Sequence, residues 1–291
     1  MIIDCHTHIW PGRSHLGAGV DFACLGARQN DQALPHEHVE AGAQADFALT
    51  LGFTSRYLQA EIPNEYLADY QRAHSGRLAA FAGIDPTDKD ARSQVQRLAR
   101  EKRFAGFTLS PACQNLHPCD SRIQPLYEIA QDAGLPIYFL QGDLLPAAAP
   151  LIFAQPCLLD EVARDYPRLK LVISHLGYPW HEQTFALLAK HEHVFTDVAG
   201  LTRRPWQAYR TLTLAFEYGV MDKLLFASDF PNHSVKATIE TLYNLNKVTL
   251  DSVLPAVPRE HLRGIVERDS LALLGITPAA DKMPASAHLY T

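Results

Sequence analysis

Along the chain, short apolar runs rich in β-branched and aromatic residues recur at strand length, and longer stretches with apolar positions every three or four residues separate them. The pattern predicts eight strands: Met1 to Cys5, Ala45 to Leu51, Leu78 to Ile84, Phe104 to Leu109, Leu135 to Leu140, Leu169 to Ser174, Val194 to Val198 and Lys223 to Ser228. Helices fall between them. Pro63 opens one with Tyr66, Leu67 and Tyr70 on one face, since proline suits a first turn whose N–H has no helical partner. Ser121 precedes another carrying Leu126, Ile129 and Ala130, which Gly134 stops. A third runs from about Leu158 to Tyr166 and ends before Pro167. Others centre on Leu98, Leu187 and Leu242, and a last one carries Leu262, Ile265 and Val266 before Gly275.

Strand–helix alternation predicts a parallel sheet, because a parallel crossover needs a covering helix. Eight such units in 291 residues point to a closed (β/α)₈ TIM barrel forming a single domain over residues 1–291. A doubly wound sheet would want a glycine-rich phosphate turn after its first strand, and His6-Thr7-His8 stands there instead. The segment from Pro11 to His38 is glycine-rich and poor in period, and reads as an elaborated loop. The tail from Pro278 to Thr291 is small and polar, suited to loose packing or to a subunit contact in a homo-oligomer.

Composition narrows the function classes. With 47% hydrophobic and 20% charged residues the chain can bury a sizeable core. A net charge of −6 without a basic stripe argues against a nucleic-acid partner. No apolar run approaches the roughly 20 residues of a membrane span, and Met1-Ile2-Ile3-Asp4-Cys5-His6 lacks the basic start of a signal peptide. Five scattered cysteines without a Cys-x-x-Cys pair suit reduced thiols, so the expectation is a cytoplasmic protein. The spacing of Cys113 and Cys119 fits no common zinc motif.

Chemistry gathers at the strand ends. Residues two apart in a strand share a face, so Asp4, His6 and His8 point the same way if the first strand persists that far. The C-terminal strand ends form the active face of a barrel, where two imidazoles make a natural divalent-metal site. The plain alternative is one core histidine and one surface histidine. Asp229 ends the eighth strand in Ala227-Ser228-Asp229-Phe230-Pro231, and closure sets that strand beside the first, which joins Asp229 to the pair. His175 ends the sixth strand in reach of a bound substrate; it could act as general acid or base, or serve as a structural cap. Asp197 ends the seventh and could orient His175 or touch substrate. Trp10 could wall the pocket or anchor its loop. Arg56 and the Arg203-Arg204 pair lie on active-face loops, as carboxylate clamps or as surface arginines. His36 and His38 repeat the His-x-His spelling in a polar loop and read as exposed.

The order Asp4-Cys5-His6-Thr7-His8, Ser174-His175-Leu176-Gly177 and Ala227-Ser228-Asp229-Phe230-Pro231 resembles the amidohydrolase superfamily, in the branch of aminocarboxymuconate-semialdehyde decarboxylase and lactone hydrolases. Ile62-Pro63-Asn64-Glu65-Tyr66, Ala105-Gly106-Phe107 and Ile265-Val266-Glu267-Arg268-Asp269 extend the resemblance over nearly the whole chain. It implies a barrel with one or two divalent metals at its mouth, His6, His8 and Asp229 as ligands, and His175 as a catalytic or supporting histidine. The chain departs from the branch twice. Leu140 stands where strand five usually supplies a histidine, and strand four offers Phe107-Thr108-Leu109-Ser110 with no lysine for a bridged pair of metals. One divalent ion, zinc foremost, is the expectation, with occupancy in doubt because that ligand is missing; a metal-independent lactone hydrolase is also compatible. The leading reading is a hydrolase of a small carbonyl, lactone or amide substrate, in which Asp229 and His175 are catalytic. A non-oxidative decarboxylase and a catalytically silent binding barrel are the alternatives.

Overall fold

The computed structural model describes residues 1–12, 32–74, 76–141, 145–250 and 252–278. Eight parallel strands follow one another around the sheet in chain order: β1 (Ile3–Thr7), β2 (Phe47–Leu51), β3 (Leu78–Gly83), β4 (Gly106–Leu109), β5 (Ile137–Phe139), β6 (Leu171–Ile173), β7 (Val194–Asp197) and β8 (Leu224–Leu225). Closure comes from backbone bonds just past the short β8. The Cys5 N–H donates to the Phe226 carbonyl at 2.9 Å, and the His8 N–H to the Phe230 carbonyl at 2.9 Å. The fold is the expected (β/α)₈ barrel, and each expected strand overlaps an observed one.

Period-two alternation explains how the strands build both the barrel interior and the site above it. Phe47, Leu49, Leu51, Phe81, Tyr138, Val172, Phe195 and Leu225 fill the interior in one apolar cluster. Alternate residues such as Ile137, Phe139, Leu171 and Ile173 belong to the cluster shared with the helices. Two residues beyond the interior positions of their strands, Leu140, Ser174 and Asp197 reach the mouth on the same face. Gly106 is needed for close approach: a Cβ there would stand 2.6 Å from the Phe81 ring and 2.3 Å from the Pro136 carbonyl oxygen.

The covering helices are α1 (Pro35–Ala41), α2 (Asn64–Ala73), α3 (Ala91–Glu101), α4 (Gln124–Ala133), α5 (Asp160–Asp165), α6 (His181–Lys190), α7 (Pro205–Glu217), α8 (Val235–Tyr243), α9 (Arg259–Glu267) and α10 (Ser270–Leu274). Gly134 ends α4 in the left-handed conformation at φ 68°, as its position in the sequence predicts. Three expectations need correction. The last helix is two, because Asp269 leaves helical geometry and accepts the Ala272 N–H to start α10. The end of the expected loop from Pro11 to His38 belongs to α1, where proline occupies the first turn. His38 is buried there, its Nδ1 2.7 Å from the Tyr70 hydroxyl, whereas His36 is exposed as expected. Most of that loop, Cys24 and nearly all of the 278–291 tail lie outside the described residues. No helix among the described residues is long and apolar enough to cross a membrane.

Candidate active site

The site begins with an irregularity in β1. Its register against β2 runs Ile3↔Phe47 and Asp4↔Ala48, then Thr7↔Thr50, so β1 holds one extra residue between Asp4 and Thr7. Such a bulge shifts the side-chain alternation by one position. Ile3 and Cys5 therefore join the interior cluster, and His6 nonetheless packs edge-on against the interior Tyr138. Asp4 does not share a face with His6 and His8, contrary to the alternation argument. Its carboxylate accepts the Ser228 N–H at 2.8 Å and the His6 N–H at 3.4 Å, which ties the bulge to the strand that closes the barrel. Burial pushes its carboxyl up to about 6 against those hydrogen bonds.

Both imidazoles of β1 are fixed through Nδ1. The His6 Nδ1–H donates to Asp197 Oδ2 at 2.8 Å, and the His8 Nδ1–H to the Leu51 carbonyl at 2.8 Å. Since neither acceptor can donate, each Nε2 is left with a lone pair in the neutral ring, and the two Nε2 atoms face each other at 3.1 Å. Two facing lone pairs repel unless a proton or a metal cation takes up their charge. Of the two rings, His6 is the one whose surroundings favour the added proton. Burial works against its charge, but the carboxylate and hydrogen bond of Asp197, with the charges of Asp229 and Asp4, hold its pKa above the ordinary value. Burial lowers the His8 pKa well below the ordinary value, and the His6 charge lowers it further.

Asp197 does hold His175, as anticipated, though through the His175 backbone N–H, and it holds the His6 ring as well. Its Oδ2 accepts His6 Nδ1–H and the Tyr138 hydroxyl, and its Oδ1 accepts the backbone N–H of His175 at 2.9 Å and of Ala199 at 3.0 Å. It thus sets the His6 ring and anchors the His175 backbone, and both of its oxygens are engaged by these four donors. Burial would raise its carboxyl, yet the His6 charge and hydrogen bond hold it at about 2.

His175 and Leu176 follow β6 in the left-handed region, at φ 54° and 55°, and Gly177 continues it at 65°. This turn brings the His175 ring within 4.7 Å of the His6 ring, between centroids. Its buried Nδ1 has no hydrogen-bond partner. Burial, then the His6 charge, lowers its pKa. Asp229, also left-handed at φ 67°, has its N–H on the His6 carbonyl at 3.1 Å. Its Oδ2 accepts Arg203 Nη2 at 2.8 Å and Asn232 Nδ2 at 3.3 Å.

One ligand atom each from His6, His175 and Asp229 lie within 4.8 Å of one another. His175 thus completes the tight group in which His8 was expected, and His8 joins through His6. The paired lone pairs, the unpartnered His175 nitrogen and the carboxylate form a donor set that fits a divalent cation. His6, His8, His175 and Asp229 line one small pocket with Phe53, Ser110, Cys113, Leu140, Gln141, Leu145 and Ser174. Leu140 does occupy the pocket wall, so strand five presents a side chain there that cannot ligate.

The other anticipated residues divide. Arg203 is in the site, largely buried, with Nη2 on the carboxylate of Asp229 rather than on a substrate's. Arg204 lies over the Tyr178 ring at 4.6 Å, lining an adjacent pocket that shares His175. Arg56 is not in the site: its side chain is 62% exposed, with Asp88 4.0 Å away. Trp10 is an anchor rather than a pocket wall, buried in the core with its backbone paired to Ala33. Sequence reasoning passed over Tyr138, Gln141, Asn232 and His233. Tyr138 carried a signal, since a tyrosine at an interior strand position must find a partner for its hydroxyl. His233 follows Asp229 closely in the chain; burial lowers its pKa while the charge of Asp229 opposes the change.

The comparisons show the family and the fold. The family model described as Amidohydrolase matches residues 3–276. An L-fucono-1,5-lactonase of Burkholderia ambifaria is 30% identical over 208 residues, covering 68% of this chain and 67% of that protein. Among solved structures, a TIM-barrel protein from Bordetella bronchiseptica superposes with a TM-score of 0.70 at 21% identity, over 94% of this chain and 99% of that one. An amidohydrolase from Burkholderia multivorans with bound zinc gives a TM-score of 0.67 at 16% identity, over 95% of this chain and 100% of that one. A family match over most of its length, on a barrel with this mouth, makes the chain a member of the amidohydrolase family and an enzyme of that superfamily.

Proposed function

We propose that the chain hydrolyses a small lactone with one divalent metal ion, zinc foremost, held by His6, His8, His175 and Asp229. The observation that carries the reading is the pair of Nε2 lone pairs 3.1 Å apart, each fixed by a hydrogen bond at the opposite ring nitrogen. The lactonase relative supports a lactone as the substrate. A divalent cation bound at such a site polarises a carbonyl oxygen and acidifies water.

The remaining chemistry belongs to side chains of this chain. Both described hydrogen bonds to Asp229 fall on Oδ2, which leaves Oδ1 to accept a proton from water. The water oxygen bonds to the lactone carbonyl carbon, the ring C–O bond breaks, and the proton returns to the departing alkoxide to give a hydroxy acid. Arg203 and Asn232 hold Asp229 in place during both transfers. Asp197 keeps the His6 proton on Nδ1 throughout, and Phe53, Leu140 and Leu145 give the pocket an apolar wall against the lactone ring. Cys5, Cys119 and Cys157 are free thiols, in keeping with a reducing compartment such as the cytoplasm.

The test is a panel of lactones, amides and aromatic acids against chelator-treated and zinc-reconstituted protein. Expected are lactone turnover lost on chelation and restored by zinc, with oxygen from labelled water in the acid. Full turnover by metal-free protein overturns the metal assignment. Carbon dioxide released in step with loss of an aromatic acid overturns hydrolysis in favour of decarboxylation.

A further inference from the structure

Gln141 stands just past β5, beside the leucine that occupies the expected ligand position. Its backbone is locked to β6: the Gln141 N–H donates to Ser174 Oγ at 2.9 Å, and the Ser174 hydroxyl donates back to the Gln141 carbonyl at 2.6 Å. Its side chain has no such engagement. The residue is 1% exposed and lines the pocket, yet Nε2 and Oε1 are both buried with no hydrogen-bond partner. Buried polar groups are overwhelmingly paired, and an amide left unmet at both ends of a pocket wall is a group awaiting a ligand.

The amide specifies what that ligand carries. It offers two donors and an acceptor. A hydroxyl group, which donates and accepts, can meet either end, and neighbouring hydroxyls can meet both. A carboxylate can satisfy Nε2 but leaves Oε1 facing another acceptor. The described pocket lining contains no lysine or arginine, and the guanidinium nearest to it is bound to Asp229. Phe53, Leu140 and Leu145 supply apolar contact for ring carbons. We infer that Gln141 reads ring hydroxyls, and that the substrate is an uncharged, hydroxylated lactone rather than a carboxylated one. The inference rests on the hydrolase reading above and narrows it.

The test compares wild-type enzyme with Gln141→Leu, both loaded with zinc. Calorimetry measures binding of a trihydroxylated δ-lactam, which an esterase-like reaction does not open, and of unsubstituted 2-piperidone. Kinetics measure a trihydroxylated δ-lactone and δ-valerolactone. Loss of hydrogen bonds to a buried amide is expected to weaken binding and kcat/KM for the hydroxylated compounds by about 10- to 100-fold. The unsubstituted compounds should change by less than about threefold on the same argument. The melting temperature of Gln141→Leu should match or exceed that of wild type, because the variant removes two unmet polar atoms; a structural glutamine would lower it. Gln141→Met, similar in length but with neither the donors nor the amide acceptor, is the second variant and should lose affinity for the hydroxylated lactam in the same direction. Equal losses on both members of each pair, no loss on either, or wild-type enzyme that binds both lactams alike would overturn the inference. Selective, Gln141-dependent lactam binding with no lactone turnover would instead sustain the pocket assignment and overturn the hydrolase reading alone.

Discussion

Replacing Asp197 by asparagine tests whether the His6 tautomer governs the proposed metal site. All four hydrogen bonds to this carboxylate are donated to it: two on Oδ1 from backbone N–H groups, and two on Oδ2 from His6 and Tyr138. An asparagine has one acceptor oxygen. If that oxygen keeps the backbone pair, its NH₂ confronts His6 Nδ1, which must then become an acceptor and move its proton to Nε2. There the proton points at His8 and fills the place of a cation. Binding metal requires the original tautomer, now facing a donor, and so forfeits a charge-assisted hydrogen bond of about 1.5–3 kcal/mol. The reverse orientation strands the two backbone N–H groups at comparable cost. At tenfold per 1.4 kcal/mol the expected loss is about 10- to 100-fold in zinc affinity, in line with other residues that orient a metal-binding histidine. Competition against a chromophoric chelator at fixed pH measures it. Tyr138→Phe is the control: it removes one donor from Asp197 but leaves the His6 tautomer unchanged, and should cost less than about threefold on the same reasoning. Wild-type zinc affinity in Asp197→Asn, or an equal loss in Tyr138→Phe, would refute the argument.

Other consequences follow from single environments. His38 is held neutral in the fold by burial and, second, by the nearby charge of His74, which bring its pKa from 6.5 to about 4. The unfolded chain takes up the proton first, so the stabilisation is complete above pH 6.5 and is lost as pH falls towards 4, by about 3 kcal/mol in all. Urea midpoints across that range should slope less in His38→Gln, and identical slopes would count against the buried neutral histidine. Gly177→Ala would bring a Cβ 1.9 Å from Thr184 Oγ1 and 2.7 Å from Pro156 Cγ, at a φ of 65°. Overpacking and the left-handed backbone together should cost roughly 2–4 kcal/mol, read as a lowered melting temperature; an unchanged one would show that the turn relaxes freely.

Much of this protein could be read from local pattern. A strand buried on both faces is an apolar run wherever its neighbours lie, and the eight runs from Met1 to Ser228 marked the barrel through their spacing alone. Histidine and aspartate where such runs end must sit at the mouth, because closure leaves them nowhere else; His6, His8, His175 and Asp229 were legible for that reason. Helix α7 and the short α1 were less so, because their packing partners lie on other elements, and His38 was misread as exposed for the same reason. Directions and partners belonged to the tertiary structure. One extra residue in β1 turns Asp4 away from His6, and no one-dimensional alternation reports a register slip that only pairing with β2 defines. Arg56 and Arg203 looked equivalent as loop arginines, yet one faces solvent and the other holds Asp229, because the choice depends on which carboxylate the fold carries within reach. Asp197 was visible as a strand-end acid, but its four donors come from β1, β5 and the loops after β6 and β7, and are assembled only when the barrel closes. A sequence records which groups are available for chemistry; the hydrogen bonds that orient them join residues far apart in the chain, and their geometry exists only in the folded protein.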